Sequence, residues 1–142
     1  MAFDFKMPIG TPIYAADKGR IAIVVERFKD NVDSAFKQAN YIVIKHEDGF
    51  LSHYAHLTFK GSEVHVGDVV SRGDLIGYSG NTGQSDYPHL HFFVQRLVEG
   101  CFESETRSSN LVVCPQVPIA FSNSDPSGAI LREGVTYTAM PY

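Results

Sequence analysis

The chain has 142 residues, 44% of them hydrophobic and 20% charged, a composition that gives one globular domain a sizeable core and excludes a disordered polymer. A formal net charge of −4 argues against nucleic-acid binding through a broad basic surface. No apolar run approaches the ~20 residues of a membrane span, and the N-terminus lacks the basic and apolar regions of a signal peptide, so any export signal is expected to lie outside this chain.

Taken in order, almost every segment reads as strand or turn. Gly10-Thr11-Pro12 leads into a short extended run, residues 13–16, and Asp17-Lys18-Gly19 turns into 20–28, which is rich in β-branched residues. Residues 29–40 are polar and mixed in charge, which predicts a surface loop with a helical turn near 33–37. A hairpin follows, 41–46 and 50–57, with Asp48-Gly49 supplying the positive φ such a turn needs. On its second strand, Ser52, Tyr54 and His56 are expected on one face and Leu51, His53 and Ala55 on the other, so His53 and His56 cannot serve one site unless the strand is bulged. Residues 64–70 and 73–77 read as two short strands around a Ser71-Arg72-Gly73 turn. Asn81 to Pro88 is turn-rich and gives way to an aromatic strand that begins at His89 and His91. Beyond Val94, residues 99–110 read as a polar loop, 111–113 and 118–121 as strand candidates, 123–128 as a turn and 131–137 as a last strand. There is no repeat and no linker, so the expectation is one all-β, antiparallel domain.

The six histidines differ in context. His46, beside a turn, and His65, on a polar-flanked strand, read as solvated surface residues, and His53 as structural. His89 and His91 stand at i and i+2 on a strand, which places both rings on one face roughly 6 to 7 Å apart, where rigid sheet meets loop. With His56 they form a group suited to metal binding or proton transfer. A catalytic zinc usually takes three protein ligands and leaves a position for water. A carbonyl-cleaving site also needs groups that deprotonate water, stabilise an oxyanion and protonate the leaving amine, all within reach of imidazole chemistry. Asp4, between Phe3 and Phe5, is either a carboxylate with a partner or metal, or an exposed residue at a frayed terminus. Cys101 and Cys114 can pair in an oxidising compartment, and their separation does not match a C-x-x-C zinc motif.

Several blocks carry a wider likeness: Asp4-Phe5, the run Pro8-Ile9-Gly10-Thr11-Pro12-Ile13-Tyr14-Ala15-Ala16, Tyr54-Ala55-His56-Leu57, Val66-Gly67-Asp68-Val69-Val70, Gly80-Asn81-Thr82-Gly83 and Pro88-His89-Leu90-His91-Phe92. In order, over roughly residues 4–94, they resemble the lysostaphin/LytM-type zinc endopeptidases, hydrolases that cut peptide cross-links in bacterial peptidoglycan. The resemblance implies a single antiparallel β-sandwich or barrel-like domain of the hybrid-motif type, with a groove over the central sheet. It implies Zn2+ as cofactor, Asp4 and His91 as metal ligands, and His56 and His89 as the unliganded catalytic pair. Peptidoglycan peptides would be the partner, and the location extracytoplasmic. Residues 1–98 would be the peptidase core and 99–142 a C-terminal β extension on the same domain. One departure stands out, because the family's remaining zinc ligand is a histidine a few residues before the aspartate, and only Met1-Ala2-Phe3 precede Asp4. The intact His56, His89 and His91 favour a chain that begins late over the alternative, a catalytically inactive binding or regulatory module. The glycine-rich stretch 67–83 has no Walker pattern. It resembles biotinyl/lipoyl carrier domains locally, without their modifiable lysine at a hairpin tip.

Overall fold

The computed structural model describes residues 2–32, 38–99, 101 and 114–121, with the backbone of 124–125 and 138–139. Eight strands form one antiparallel sheet: β1 (Ala2–Lys6), β2 (Pro12–Tyr14), β3 (Gly19–Val25), β4 (Asn40–Lys45), β5 (Phe50–Ser62), β6 (Val69–Val70), β7 (Leu75–Ser79) and β8 (His89–Arg96). Their order is β1-β8-β5-β4-β3-β6, while β7 pairs with the far end of β5 and β2 pairs with β7. A separate ribbon joins β9 (Ser124–Asp125) to β10 (Thr138–Ala139). Among the described residues there is no helix, as an all-β chain requires.

The sheet is buried on both faces at its centre, which explains the unbroken apolar run Ile42-Val43-Ile44 of β4. Ile42 and Ile44 join Tyr54, Leu90, Phe92, Ile13 and Ile76 in the main core. Val43 points the other way, with Leu51, into a smaller cluster closed by a Cys101–Cys114 disulfide whose Cα atoms are 5.0 Å apart. The bridge returns the chain to β8, where Gln95 pairs with Gln116.

Several expectations change. The 64–70 strand shrinks to Val69–Val70, because the Asp68 carboxylate accepts the His65 amide at 2.8 Å and closes a turn instead. The 73–77 strand starts and ends later, at Leu75–Ser79. Pro118 to Phe121 runs outside the named strands, and the 123–128 turn contains β9. The 33–37 helical turn and the strands at 111–113 and 131–137 lie outside the described residues, as does nearly all of the 99–110 loop. His46 is not solvated. Its Nδ1 donates to the Lys18 carbonyl at 2.7 Å and its Nε2 accepts from Ser52 Oγ at 2.8 Å, so it pins β5 to the β2–β3 turn. His65 remains exposed, and His53 stacks on Phe93 with ring centroids 4.4 Å apart, a packing role.

Candidate metal and catalytic site

Register puts the site together. In the β1–β8 ladder Asp4 faces His91 and Lys6 faces His89 across the strands. Alternation then sends Phe3, Phe5, Leu90 and Phe92 toward the other face, where Phe3 and Phe5 pack edge-on against Phe121 and Leu90 and Phe92 enter the main core. Asp4, Lys6, His89, His91 and Phe93 share the site face.

His56 reaches that face by an irregularity. The β4–β5 register slips between Tyr41↔Ala55 and Asn40↔Leu57, leaving His56 as the extra residue of a bulge at φ 61°. Tyr54 therefore stays in the core against Phe92, while His56 turns away from it, contrary to the shared face expected from alternation. Its ring comes within 4.6 Å of the His89 ring and 5.8 Å of the His91 ring.

The ring nitrogens are oriented by their partners. His56 Nδ1 lies 2.6 Å from the Thr82 carbonyl, which can only accept, so Nδ1 carries the hydrogen and Nε2 is left for the site. His89 Nδ1 donates in the same way to the Tyr87 carbonyl at 2.8 Å, beside Ser85 Oγ at 3.1 Å. His89 Nε2 then lies 3.6 Å from Asp4 Oδ1. His91 is turned differently: its Nδ1 meets Asp4 Oδ1 at 2.6 Å. One nitrogen each of His56, His89 and His91 lies within 4.8 Å of the others. Burial, and secondarily the neighbouring imidazoles, hold the pKa of His56 below the ordinary histidine value, against the opposing Thr82 hydrogen bond. His56 is thus neutral at pH 7, with a free lone pair on Nε2.

A carboxylate and an imidazole are ligand types that zinc takes; here they meet at 2.6 Å as a hydrogen bond, and to share an ion the two atoms would part by several tenths of an ångström. His89 Nε2 is the next donor along this face. The four residues singled out in the sequence thus gather in one place.

Sequence reasoning missed the groups that hold them. Asn40 is fully buried, and its amide group bonds the Phe28 amide and carbonyl and the Leu57 and Thr58 carbonyls. Its backbone N–H donates to Thr82 Oγ1 at 3.0 Å, and Thr82 Oγ1 donates to the Leu57 carbonyl at 2.8 Å. Asp30 ties the same loop down, accepting from the Asn81 amide at 2.6 Å and from Thr58 Oγ1 at 2.6 Å. Gly80 is required there, since a Cβ would lie 2.5 Å from Asp30 Oδ1 and 2.6 Å from the Leu57 carbonyl carbon. The Gly80-Asn81-Thr82-Gly83 block was the available signal, but it reads locally as a turn and not as a histidine's hydrogen-bond acceptor. A cleft of about 460 Å³, lined by Asn31, Asn81, Gln84, Ser85 and Asp86, opens beside this loop.

Comparison with known proteins bears on the same residues. The family model described as "Peptidase family M23" matches residues 1–103. Lysostaphin of Staphylococcus simulans is 37% identical over 139 residues, which is 97% of this chain and 24% of that protein. Peptidoglycan DD-endopeptidase ShyA of Vibrio cholerae is 44% identical over 89 residues, 63% of this chain and 18% of that protein. The structure of the lysostaphin catalytic domain from Staphylococcus simulans superposes with a TM-score of 0.55 at 36% identity, covering 67% of this chain and 65% of that one. The chain thus spans only about a fifth to a quarter of these curated relatives.

Proposed function

The chain belongs to peptidase family M23, and from that premise we propose that it is a zinc-dependent endopeptidase acting on peptide bonds of bacterial peptidoglycan, outside the cytoplasm. The observation that supports the zinc reading is the placement of Asp4 and His91 directly opposite each other on neighbouring strands, with His89 Nε2 3.6 Å from the same Asp4 Oδ1. The relatives, whose names include a peptidoglycan DD-endopeptidase, support the peptidoglycan substrate, and the extracytoplasmic location is inferred from that substrate. Among the described residues no helix is long and apolar enough to cross a membrane.

In this reading Asp4 and His91 are two of the three protein ligands that a catalytic zinc usually takes. Zinc bound there supplies a Lewis acid that makes hydroxide available near neutral pH. His89, its tautomer set by the Tyr87 carbonyl, presents Nε2 to the reacting centre and moves a proton from the nucleophile. His56, neutral because it is buried, presents its Nε2 lone pair from the opposite side; once it has taken a proton there from the nucleophile, it donates to the developing oxyanion and delivers that proton to the leaving amine. Both jobs begin with a lone pair on Nε2, which the Nδ1 contacts to backbone carbonyls enforce.

The test is digestion of purified peptidoglycan with and without a chelator, alongside elemental analysis. Chelator-sensitive release of peptide fragments and bound zinc are expected. Zinc with retention on peptidoglycan but no fragments would point to a non-catalytic binding module, and neither zinc nor fragments would sink the enzyme reading. Roles separate by substitution: His91→Ala is expected to lose the metal, whereas His89→Ala keeps it and loses at least ~100-fold in rate. The approach of three imidazole nitrogens within 4.8 Å supports a second arrangement, an all-histidine chelate. Equal loss of zinc from His56→Ala, His89→Ala and His91→Ala would select it.

A further inference from the structure

Lys6 and Tyr87 lie next to the histidine cluster and have no part in the chemistry above. Lys6 is the cross-strand partner of His89 and shares its face. Its ammonium sits 5.5 Å from the centroid of the Tyr87 ring, and that ring packs 5.1 Å from the ring of His89. Tyr87 is 42% exposed and Lys6 is exposed. Among the described residues Lys6 makes no ion pair. A flexible cation is thus steadied over an aromatic face, at the rim of the reacting centre, with its donors open to solvent.

Resting on the peptidase reading, we infer that Lys6, positioned by Tyr87, is a specificity-determining residue that selects a substrate carrying a free carboxylate on a residue flanking the scissile bond. An ammonium is a compact point charge with three donors and no acceptor, so it favours a carboxylate over the corresponding carboxamide. The aromatic ring beneath it offers an apolar seat for the backbone or aliphatic part of the same residue. Because the pair stands in solvent, the selectivity is modest and falls with added salt.

The experiment uses quenched-fluorescent peptides that differ only in a carboxylate or a carboxamide. One pair carries the difference on the residue before the cleaved bond, the other on the residue after it, which identifies the side Lys6 reads. The wild type is expected to prefer the carboxylate of one pair about three- to five-fold in kcat/KM at low salt. Lys6→Ala should bring that ratio to about one, Lys6→Glu should invert it, and Lys6→Arg should keep it. Tyr87→Leu should lower the ratio without inverting it. The same ratios read as peptide affinity by fluorescence anisotropy, so the inference stands or falls even if no peptide is cleaved, an outcome that would count against the peptidase reading alone. A ratio that is the same in the wild type and Lys6→Ala overturns the inference.

Discussion

His56 holds the least comfortable backbone of the site, at φ 61°, in the left-handed region that costs a side chain with a Cβ about 1 kcal/mol or more. The Thr82 carbonyl and the bulge keep it there because only this twist delivers the ring to His89 and His91. His56→Gly should therefore be more stable than His56→Ala by about 1 kcal/mol in urea denaturation, with both inactive on peptidoglycan. His53 presents the opposite case, a histidine with an ordinary backbone and an unpartnered, buried Nε2. Burial lowers its pKa from 6.5 to about 4, against the smaller effect of a hydrogen bond that the ring donates to Gln95. The folded form thus disfavours charge on a group that the unfolded chain protonates near 6.5. Stability is unaffected above that pH and is lost as pH falls toward 4, by up to ~3 kcal/mol. His53→Phe, which preserves stacking on Phe93, should flatten the stability profile between pH 6.5 and 4 relative to wild type in denaturant titrations.

Among the elements, the loop 80–83 and the start of β4 act as one unit around Asn40. Asn40→Ala would take their side-chain partner from the Phe28 amide and the Phe28 and Thr58 carbonyls in a part-buried place, at a cost of about 3 kcal/mol or more. It should depress both the melting temperature and activity. Thr82→Val keeps the volume and removes only the hydroxyl that ties Asn40 to Leu57, so its smaller destabilisation, about 1 kcal/mol, should come with a disproportionate loss of rate as the Thr82 carbonyl drifts from His56. Much at this scale was legible. The Asp48-Gly49 hairpin has Gly49 at φ 83°, and the loop-to-strand switch falls at His89. Both are consequences of local chemistry: a turn needing positive φ, and an aromatic run after a string of turn formers. The bulge at His56 was not legible, because it is set by the register against β4 and β8 and leaves no trace in the alternation of residues 50–57. Nor was the turn at 64–68, where Asp68 overrides a β-branched sequence by capping the His65 amide. Asn40 looked like the end of a loop because its partners lie 12 residues before it and 17, 18 and 42 residues after it.

Across the whole molecule, one sheet presents the site on one face and the main core on the other, and the Cys101–Cys114 bridge closes the smaller cluster on the site side. A bridge spanning 13 residues contributes about 3 kcal/mol in the chain-entropy account, so reduction with dithiothreitol should lower the melting temperature by roughly 10 °C, read by circular dichroism. The cysteine pair was left open by the sequence for a plain reason: composition does not report redox environment. At this scale Asp4 acquires a mechanical meaning. Among the described residues β1 is an edge strand hydrogen-bonded only to β8, and one of the two proposed ligands sits on each, directly opposite the other. An ion gripped by both would act as a rivet across the margin of the sheet, and its removal should let that margin peel. In hydrogen–deuterium exchange, a chelator should speed exchange in residues 2–6 while leaving β4 protected, with zinc at a hundredfold excess over its dissociation constant restoring about 2.7 kcal/mol of protection.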